Sequence, residues 1–595
     1  MRRKFLHAIV AFFPLLAVGA CDLSPEIELS MTLEDVTTTY NNTMARATAV
    51  YMYLPNGLSY VGGDAMLASA CDEAEHTNEG NSVQMFNTGS WSQLSNPDDA
   101  WARCFNGIYA ANLYLENCDD VDLDYLKYDS DESVQAQYEL YVANLERAKY
   151  EVRFLRAFYY FELVQRYGAV PVMERTYDVA DEAEYRSLPR TPLADCFSFI
   201  VRECDEVADF LPARYGSDES GRATKGAALA LKSRALLFAA SDLYHDPSWA
   251  GGFAGPELIS IRDNDEVYVG KDQATGADIM VSGSDRTALW DAAAQAAKAV
   301  IDLTDARYTL LSNYSDIFLT AATSMETILV RRIGNSTSFE STNYSVGFDN
   351  GNSGTTPSQN LVDAFETSNG QPFNWDDPAM AANPYEDRDP RLDYAIITNY
   401  STFKDRTMEI YAGGRDGAGI THATRTGYYL KKYVDPNVDL IQGKGTNHSW
   451  IIFRFAEMYL NYAEAMNEAY GPNDNHGYGL TAIDAINRIR QRIGVAMPAV
   501  PTSITKDEFR DKVRNERRVE LCFEGHRMFD VRRWMIAEDA LGAPLRGVSI
   551  TQASQGNFSY TPINVENRVF QTKMYFYPIP QTDQQIAGWT QNPLW

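Results

Sequence analysis

The stretch LERAKYEVRFLRAFYYFELVQRYGAVP, residues 145–171, decides how this chain folds. Leu145, Ala148, Val152, Leu155 and Tyr159 fall at helical spacing, and Gly168 followed by Pro171 supplies the stop. Helix signals of the same kind recur outward from it, in pairs. Thr224 to Leu243 holds KGAALALKSRALLFAAS, whose small side chains let neighbouring helices approach closely. Phe453 to Tyr470 carries Phe455, Tyr459, Tyr462 and Met466 on one face and ends near Gly471-Pro472. A second helix follows over Thr481 to Ile493, closed by Gly494. Thr505-Lys506-Asp507-Glu508 has the form of a capping box opening a helix through about Phe523, and Gly525 precedes a further helical run to Met535. Stacked helical hairpins of this kind build shape, as in a solenoid, although no strict repeat period is visible.

Residues 244–286, 333–358 and 399–450 differ in character. They are rich in Gly, Asn, Ser, Asp and aromatics and are too long for simple connections. Long loops on a rigid scaffold concentrate binding residues. The reading is therefore a mainly α fold of stacked helix pairs carrying long loop-rich segments as its functional surface. The scaffold is expected over about 30–243, 287–332 and 451–537, with loop-rich insertions at about 60–100, 244–286, 333–450 and 538–595. No Pro/Gly/Ser-rich linker divides residues 21–595, which are read as one domain.

Residues 1–20 read as a cleaved export leader. Arg2, Arg3 and Lys4 form a basic start, Ala8 to Val18 is apolar apart from Pro14, and Val18-Gly19-Ala20 supplies small residues before Cys21. The apolar run is too short to span a bilayer comfortably. A cysteine at the new first position resembles the bacterial lipobox, which implies lipid attachment at Cys21; an ordinary secretory peptide is the alternative. Several acyl chains anchor a protein stably where one does not.

With 45% hydrophobic and 12% aromatic residues the chain buries a sizeable core. Its net charge of −29 repels nucleic acid and anionic membrane surfaces, leaving neutral or cationic ligands favoured. Cys71, Cys104, Cys118, Cys196, Cys204 and Cys522 are too scattered for a small-domain disulfide framework and show no C-x-x-C spacing, so buried free thiols are expected and no metal site is. No H-E-x-x-H, G-x-S-x-G or phosphate-loop lysine appears, and no cofactor is implied. Asp120, Asp122 and Asp124 have calcium-ligand spacing, but Tyr125 and Asp131 replace the glycine and glutamate of such a loop. The densest polar block, Glu516 to Arg527, places Glu516, Glu520 and Glu524 at helical spacing among arginines. It reads as an internal ion-pair network rather than a catalytic centre with His526.

EVRFLRAFYYFELVQRYGAVPV (151–172), FRFAEMYLNYAEAMNE (453–468), RNERRVELCFEGHRMFDVRRW (514–534) and YFYPIPQTDQQIAGWTQNPLW (575–595) together resemble the SusD/RagB family. Weaker matches at Trp101 to Asn112, Pro357 to Asp363 and Asp387 to Leu392 extend the resemblance, in family order, over nearly the whole mature chain. The resemblance implies a degenerate tetratricopeptide-like helix-hairpin scaffold with an irregular loop-rich ligand-binding subdomain, in a surface-exposed, lipid-anchored protein of the bacterial outer membrane in Bacteroidetes. It implies a binding protein rather than an enzyme, one that captures oligosaccharides or, in some relatives, peptides. Its implied partner is a TonB-dependent transporter of the SusC type, over which it sits as a lid. The matching blocks are scaffold, so no ligand contact transfers by motif.

A glycan site wants aromatic platforms flanked by hydrogen-bonding side chains. Two segments offer the mixture: Asp72 and Glu73 through Glu79 and Trp91, and Asn343, Tyr344 and Phe348 in the loop after Arg332. Asp72, Glu73, Trp91, Asn343, Tyr344 and Phe348 are the ligand-binding candidates. Trp290 and Trp534 are expected in the core. A peptide-capturing lid of the same architecture is the alternative, favoured by the negative charge. A surface glycoside hydrolase is the third reading, and it requires an acid/base pair of carboxylates in the loop-built cleft.

Overall fold

The computed structural model describes residues 38–98, 100–177 and 179–595. The expected leader and Cys21 lie outside these residues. The longer helices are α1 (Tyr40–Val50), α2 (Ala100–Asn117), α3 (Glu132–Tyr167), α4 (Leu193–Ala208), α5 (Lys225–Ala239), α6 (Arg286–Ile301), α7 (Phe455–Tyr470), α8 (Ala482–Arg490), α9 (Lys506–Glu520) and α10 (Arg527–Arg533). From α2 to α8 each packs on the next in chain order, and α9 returns to α7. The strands are β1 (Ala74–His76), β2 (Glu266–Lys271), β3 (Asp278–Ser282), β4 (Thr327–Ser336), β5 (Thr355–Pro357), β6 (Thr446–Arg454), β7 (Leu545–Ser554) and β8 (Asn557–Glu566). They pair antiparallel as β1·β5, β2·β3, β4·β6 and β7·β8. No helix of the described residues is long and apolar enough to cross a membrane.

The close stacking follows from small side chains. Ala227, Ala228, Ala230 and Ala235 of α5 and Ala293, Ala294 and Ala297 of α6 are fully buried, so α6 lies between α5 and α7. Starts are set by side-chain caps: Thr224 accepts from Ala227 N at 3.1 Å, and Thr481/Asp484 and Thr505/Glu508 form reciprocal capping boxes. The helix of the opening stretch begins thirteen residues before its first apolar position, at Glu132. That mostly polar first part carries only a sparse stripe, Val134, Tyr138 and Tyr141, which continues to Leu145 and packs against Leu123 and Leu126. Asp131 caps it through Ser133 N at 2.8 Å, and Gln135 Nε2 donates to the carbonyls of Leu126, Lys127 and Asp129.

Two regions expected as loops contain hairpins, β2–β3 within 244–286 and β7–β8 within 538–595. The β4·β6 ladder joins Thr327–Ser336 to Thr446–Arg454, so the 333–450 insertion is tied at its neck by backbone hydrogen bonds. The six cysteines are buried free thiols, as expected. Trp290 and Trp534 are buried, also as expected.

The charged block is an interior ion-pair network. Glu520, fully buried, accepts from Arg454 at 2.8 Å and from Arg391 at 2.9 Å and also pairs with Arg492; Glu516 accepts from Arg391 at 2.5 Å and Arg490 at 2.7 Å. Glu524 takes Arg454 at 2.7 Å and Lys432 at 2.8 Å. The network ties α9 to the end of β6 and to residues 389–391. Burial alone would raise the pKa of Glu520, but Arg492, Arg454 and Arg391 outweigh it and hold the carboxyl well below the usual range.

Candidate functional site

The structure brings together two sequence segments nearly three hundred residues apart. Antiparallel pairing sets Ala74 opposite Pro357, Glu75 opposite Thr356 and His76 opposite Thr355. Thr77 N then donates to Gly354 O at 2.9 Å, so the loop carrying Glu79 and the loop carrying Asn350 share one rim. Asp72, Glu73, Asn343, Tyr344 and Phe348 all belong to this neighbourhood. Trp91 does not.

Five of the six candidates are buried, which corrects the expectation that they present a surface. Asp72 accepts from Arg527 at 2.8 and 2.9 Å and from Arg518 at 2.6 Å. Its burial raises its pKa, but those two guanidiniums outweigh burial and hold it well below the carboxylate range. Among the described residues Glu73 accepts only from Phe523 N at 3.2 Å and from the Cys71 thiol at 3.9 Å; burial, then the charge of Asp72, push its pKa up to about 8. Asn343 spends both ends of its amide on Phe339 O and Thr355 N, each at 3.0 Å. Tyr344 donates its hydroxyl to Asp435 O at 2.5 Å and receives Lys404 Nζ at 3.1 Å. Trp91 packs edge-on against Phe86, Tyr577 and Trp595 at 4.8–5.0 Å, pinning the C-terminal segment. These are the usual fates of polar and aromatic groups that find partners inside.

Phe348 is half-buried. The Arg406 guanidinium lies 4.0 Å from its ring centroid, and Arg406 is fixed by buried Asp416 at 2.6 and 2.7 Å. Nearby, Arg425 donates to Glu75 at 2.5 Å and pairs with Glu79 at the rim. The surface here therefore presents an arginine-backed aromatic ring beside exposed Asn350 and Asn352.

A second aromatic group extends this face. Tyr400 is 48% exposed and sits at φ +68°, a left-handed conformation that bulky side chains rarely adopt. Its ring lies 5.1 Å from Phe558; Tyr411 lies 5.3 Å from Phe558, and Tyr385 5.3 Å from Tyr560. All but Tyr400 are half-buried. Phe558 and Tyr560 share one face of β8, opposite Gln552 and Ile550 of β7. Ala412 N to Ile550 O and Val548 N to Thr426 O, both 2.9 Å, bind the hairpin to the 399–428 segment that also carries Arg406 and Arg425. The strip is thus continuous with the β1·β5 rim through one segment of chain. Asn399 Nδ2 reaches the Tyr560 hydroxyl at 3.5 Å.

Sequence reasoning missed this strip because its rings come from segments about 150 residues apart. The alternation Phe558-Ser-Tyr560 after Gln555-Gly556-Asn557 was the available signal for a hairpin with one aromatic face.

Comparison with known proteins locates the chain. A family model described as the SusD family matches residues 327–595, and one described as starch-binding, associating with the outer membrane, matches residues 21–237. SusD-like protein P25 of Formosa agariphila is 23% identical over 528 residues, 83% of this chain and 78% of that protein. A SusD-like protein from Bacteroides fragilis has the same architecture at 25% identity, with a TM-score of 0.73 over 95% of this chain and 99% of that one. A SusD-like carbohydrate binding protein from the same species, at 24% identity, superposes with a TM-score of 0.71 over 93% of this chain and 99% of that one. With family models matching its N-terminal and C-terminal portions and the same helical architecture recurring in those structures, this chain belongs to the SusD/RagB family.

Proposed function

We propose that the protein captures a carbohydrate on its loop-rich face, as a lipid-anchored outer-membrane protein, and delivers it to a TonB-dependent transporter of the SusC type over which it acts as a lid. The observation that carries the carbohydrate reading is the strip of Tyr400, Tyr411 and Phe558, with a ring held out to solvent on a left-handed residue. Sugars pair apolar C–H faces with rings of hydroxyls, so accessible aromatic faces beside Asn, Glu and Arg side chains suit them. Binding rather than catalysis is favoured because the carboxylates beneath this face are engaged: Asp72 by Arg518 and Arg527, Glu75 by Arg425, and Asp416 by Arg406. The anchor is assigned to Cys21 and the outer-membrane location follows the family description.

Isothermal titration calorimetry of the purified protein against starch, β-glucan and mixed plant polysaccharides tests the capture role. Saturable binding to one of them is expected, weakened about tenfold by Tyr400→Ala or Phe558→Ala, a stacking contact contributing on the order of 1–1.5 kcal/mol. Binding of cationic peptides in place of every glycan would move the ligand class to peptides, which the net charge of −29 attracts. For the anchor, Cys21→Ala protein is expected to leave the outer-membrane fraction in cells lacking the transporter; retention there would contradict lipidation.

A further inference from the structure

The helical scaffold holds a cleft of its own, of about 510 Å³, walled by α6, α7 and α9 with Trp534 at one end. Its acids are all engaged. Asp242 accepts from Arg286 at 3.0 Å, Glu468 accepts from Arg510 at 2.7 Å on each oxygen, and Glu464 accepts from Arg533 at 2.6 and 2.8 Å and from Trp534 Nε1–H at 2.7 Å.

Its donors are not all engaged. Arg514 makes no hydrogen bond and no ion pair with the described residues, and its Nε is buried without an acceptor. Its guanidinium lies 5.0 Å from the Trp534 ring centroid, on a ring that also takes Arg533 at 4.6 Å. Arg286 Nε is likewise buried without an acceptor, and the Trp290 indole N–H, on the same wall, has no partner among the described residues. Burial pulls the pKa of Arg514 down, with Glu464 the largest opposing charge, yet a guanidinium stays protonated throughout the physiological range. A protein interior leaves few such donors idle, since each unmade bond to a charged group is costly. Two buried guanidinium Nε–H groups without acceptors, on arginines that line one cleft, one of them with no ion-pair partner among the described residues, therefore describe the complement of an oxyanion.

We propose that this cleft is a second ligand site, taking a carboxylate-bearing saccharide unit, a uronate, with Arg514 as the partner of the carboxylate. The planar fork of arginine matches a carboxylate at two points, and Arg286 and Trp290 line the same cleft. The volume falls within the range of small-molecule sites and exceeds what a bare inorganic ion needs. The anion preference follows from the cleft alone; the saccharide half rests on the carbohydrate reading above.

The test is titration of full-length, detergent-solubilised protein with glucuronate, glucose and glutamate at low ionic strength, followed by calorimetry and by tryptophan fluorescence from Trp290 and Trp534. Saturable glucuronate binding is expected, with glucose at least about tenfold weaker. Arg514→Gln should weaken glucuronate about tenfold or more, and Arg514→Lys, which keeps the charge but loses the fork, should fall between. Circular dichroism melts of both variants check that each is folded, and Arg514→Lys carries the test if Arg514→Gln is not. Glucose or glutamate binding as tightly as glucuronate overturns the proposal, as does glucuronate binding that neither Arg514 variant changes. Polysaccharide binding that Tyr400→Ala weakens and Arg514→Lys spares reports on the loop-rich face alone, so the two readings fail separately.

Discussion

Glu73 carries the clearest pH signature of any single residue. It is buried beside Asp72, and with its carboxyl pushed up to about 8 it takes up a proton on folding at every pH between its ordinary value near 4.5 and that point. The folded state binds more protons across this window, so stability is fully present below about pH 4.5 and is lost as pH rises through 8. Glu464 acts in the opposite sense. Burial raises its pKa, but Arg533 outweighs burial and brings it to about 2, so its contribution is present above its ordinary value of 4.5 and lost as pH falls toward 2. Glu73→Gln, which keeps the shape and removes the ionisable proton, is expected to stabilise the protein on the order of 5 kcal/mol at pH 9 and to change little at pH 4. Urea unfolding at the two pH values measures this; equal effects at both would contradict the assignment.

At the scale of elements, the end of α3 is set by backbone geometry. Gly168 holds φ +70° and ψ −136°, and an added Cβ would stand 2.7 Å from Leu258 O. Gly168→Ala is expected to cost about 2 kcal/mol, read as a lower midpoint in thermal or urea unfolding. The capping box of α9 is a milder case. Thr505 accepts from Glu508 N at 3.3 Å while Glu508 accepts from Thr505 N at 2.9 Å, and Thr505→Ala should cost about 1 kcal/mol by the same measurement. The β7–β8 hairpin plays a different part, since its outer end is exposed and its aromatic face is shared with residues 400–411. Its contribution is to position rings, not to hold the scaffold.

For the whole molecule, the ion-pair network that stabilises the scaffold and the aromatic strip proposed to capture ligand lie in separate places. The network of Arg391, Arg454, Arg490 and Arg492 with Glu516, Glu520 and Glu524 is buried where α9 meets β6, and removing one member strands a charge in the interior. Glu520→Ala is therefore expected to destabilise by about 3–5 kcal/mol. Tyr400→Ala removes an exposed ring without opening a core cavity and leaves the left-handed backbone as it is, since alanine keeps the Cβ, so it should leave the melting temperature within a few degrees of the parent while weakening glycan binding. Thermal melts run beside the binding titrations check the separation: a Tyr400→Ala protein that melts as early as Glu520→Ala would place the strip in the scaffold instead.

The sequence by itself determined the helical scaffold, because a 3.6-residue apolar period, alanine-rich interfaces, capping boxes and terminal glycines are local signals. It also identified the Glu516–Arg527 block as structural, since charges at helical spacing amid apolar residues already indicate mutual pairing. Five of its six ligand candidates, in the segments around Asp72 and Asn343, fall in one neighbourhood of the fold. Only the tertiary structure decided which side chains face outward. Asp72, Glu73, Asn343 and Tyr344 look like surface groups in a polar segment, yet Arg518, Arg527, Thr355, Lys404 and the carbonyl of Asp435 arrive from distant segments and cover them. The same long-range folding sets Tyr400 against Phe558 and leaves the Arg514 guanidinium without a hydrogen-bond acceptor among the described residues. Burial and pairing depend on what packs across from a residue, and no local pattern carries that information.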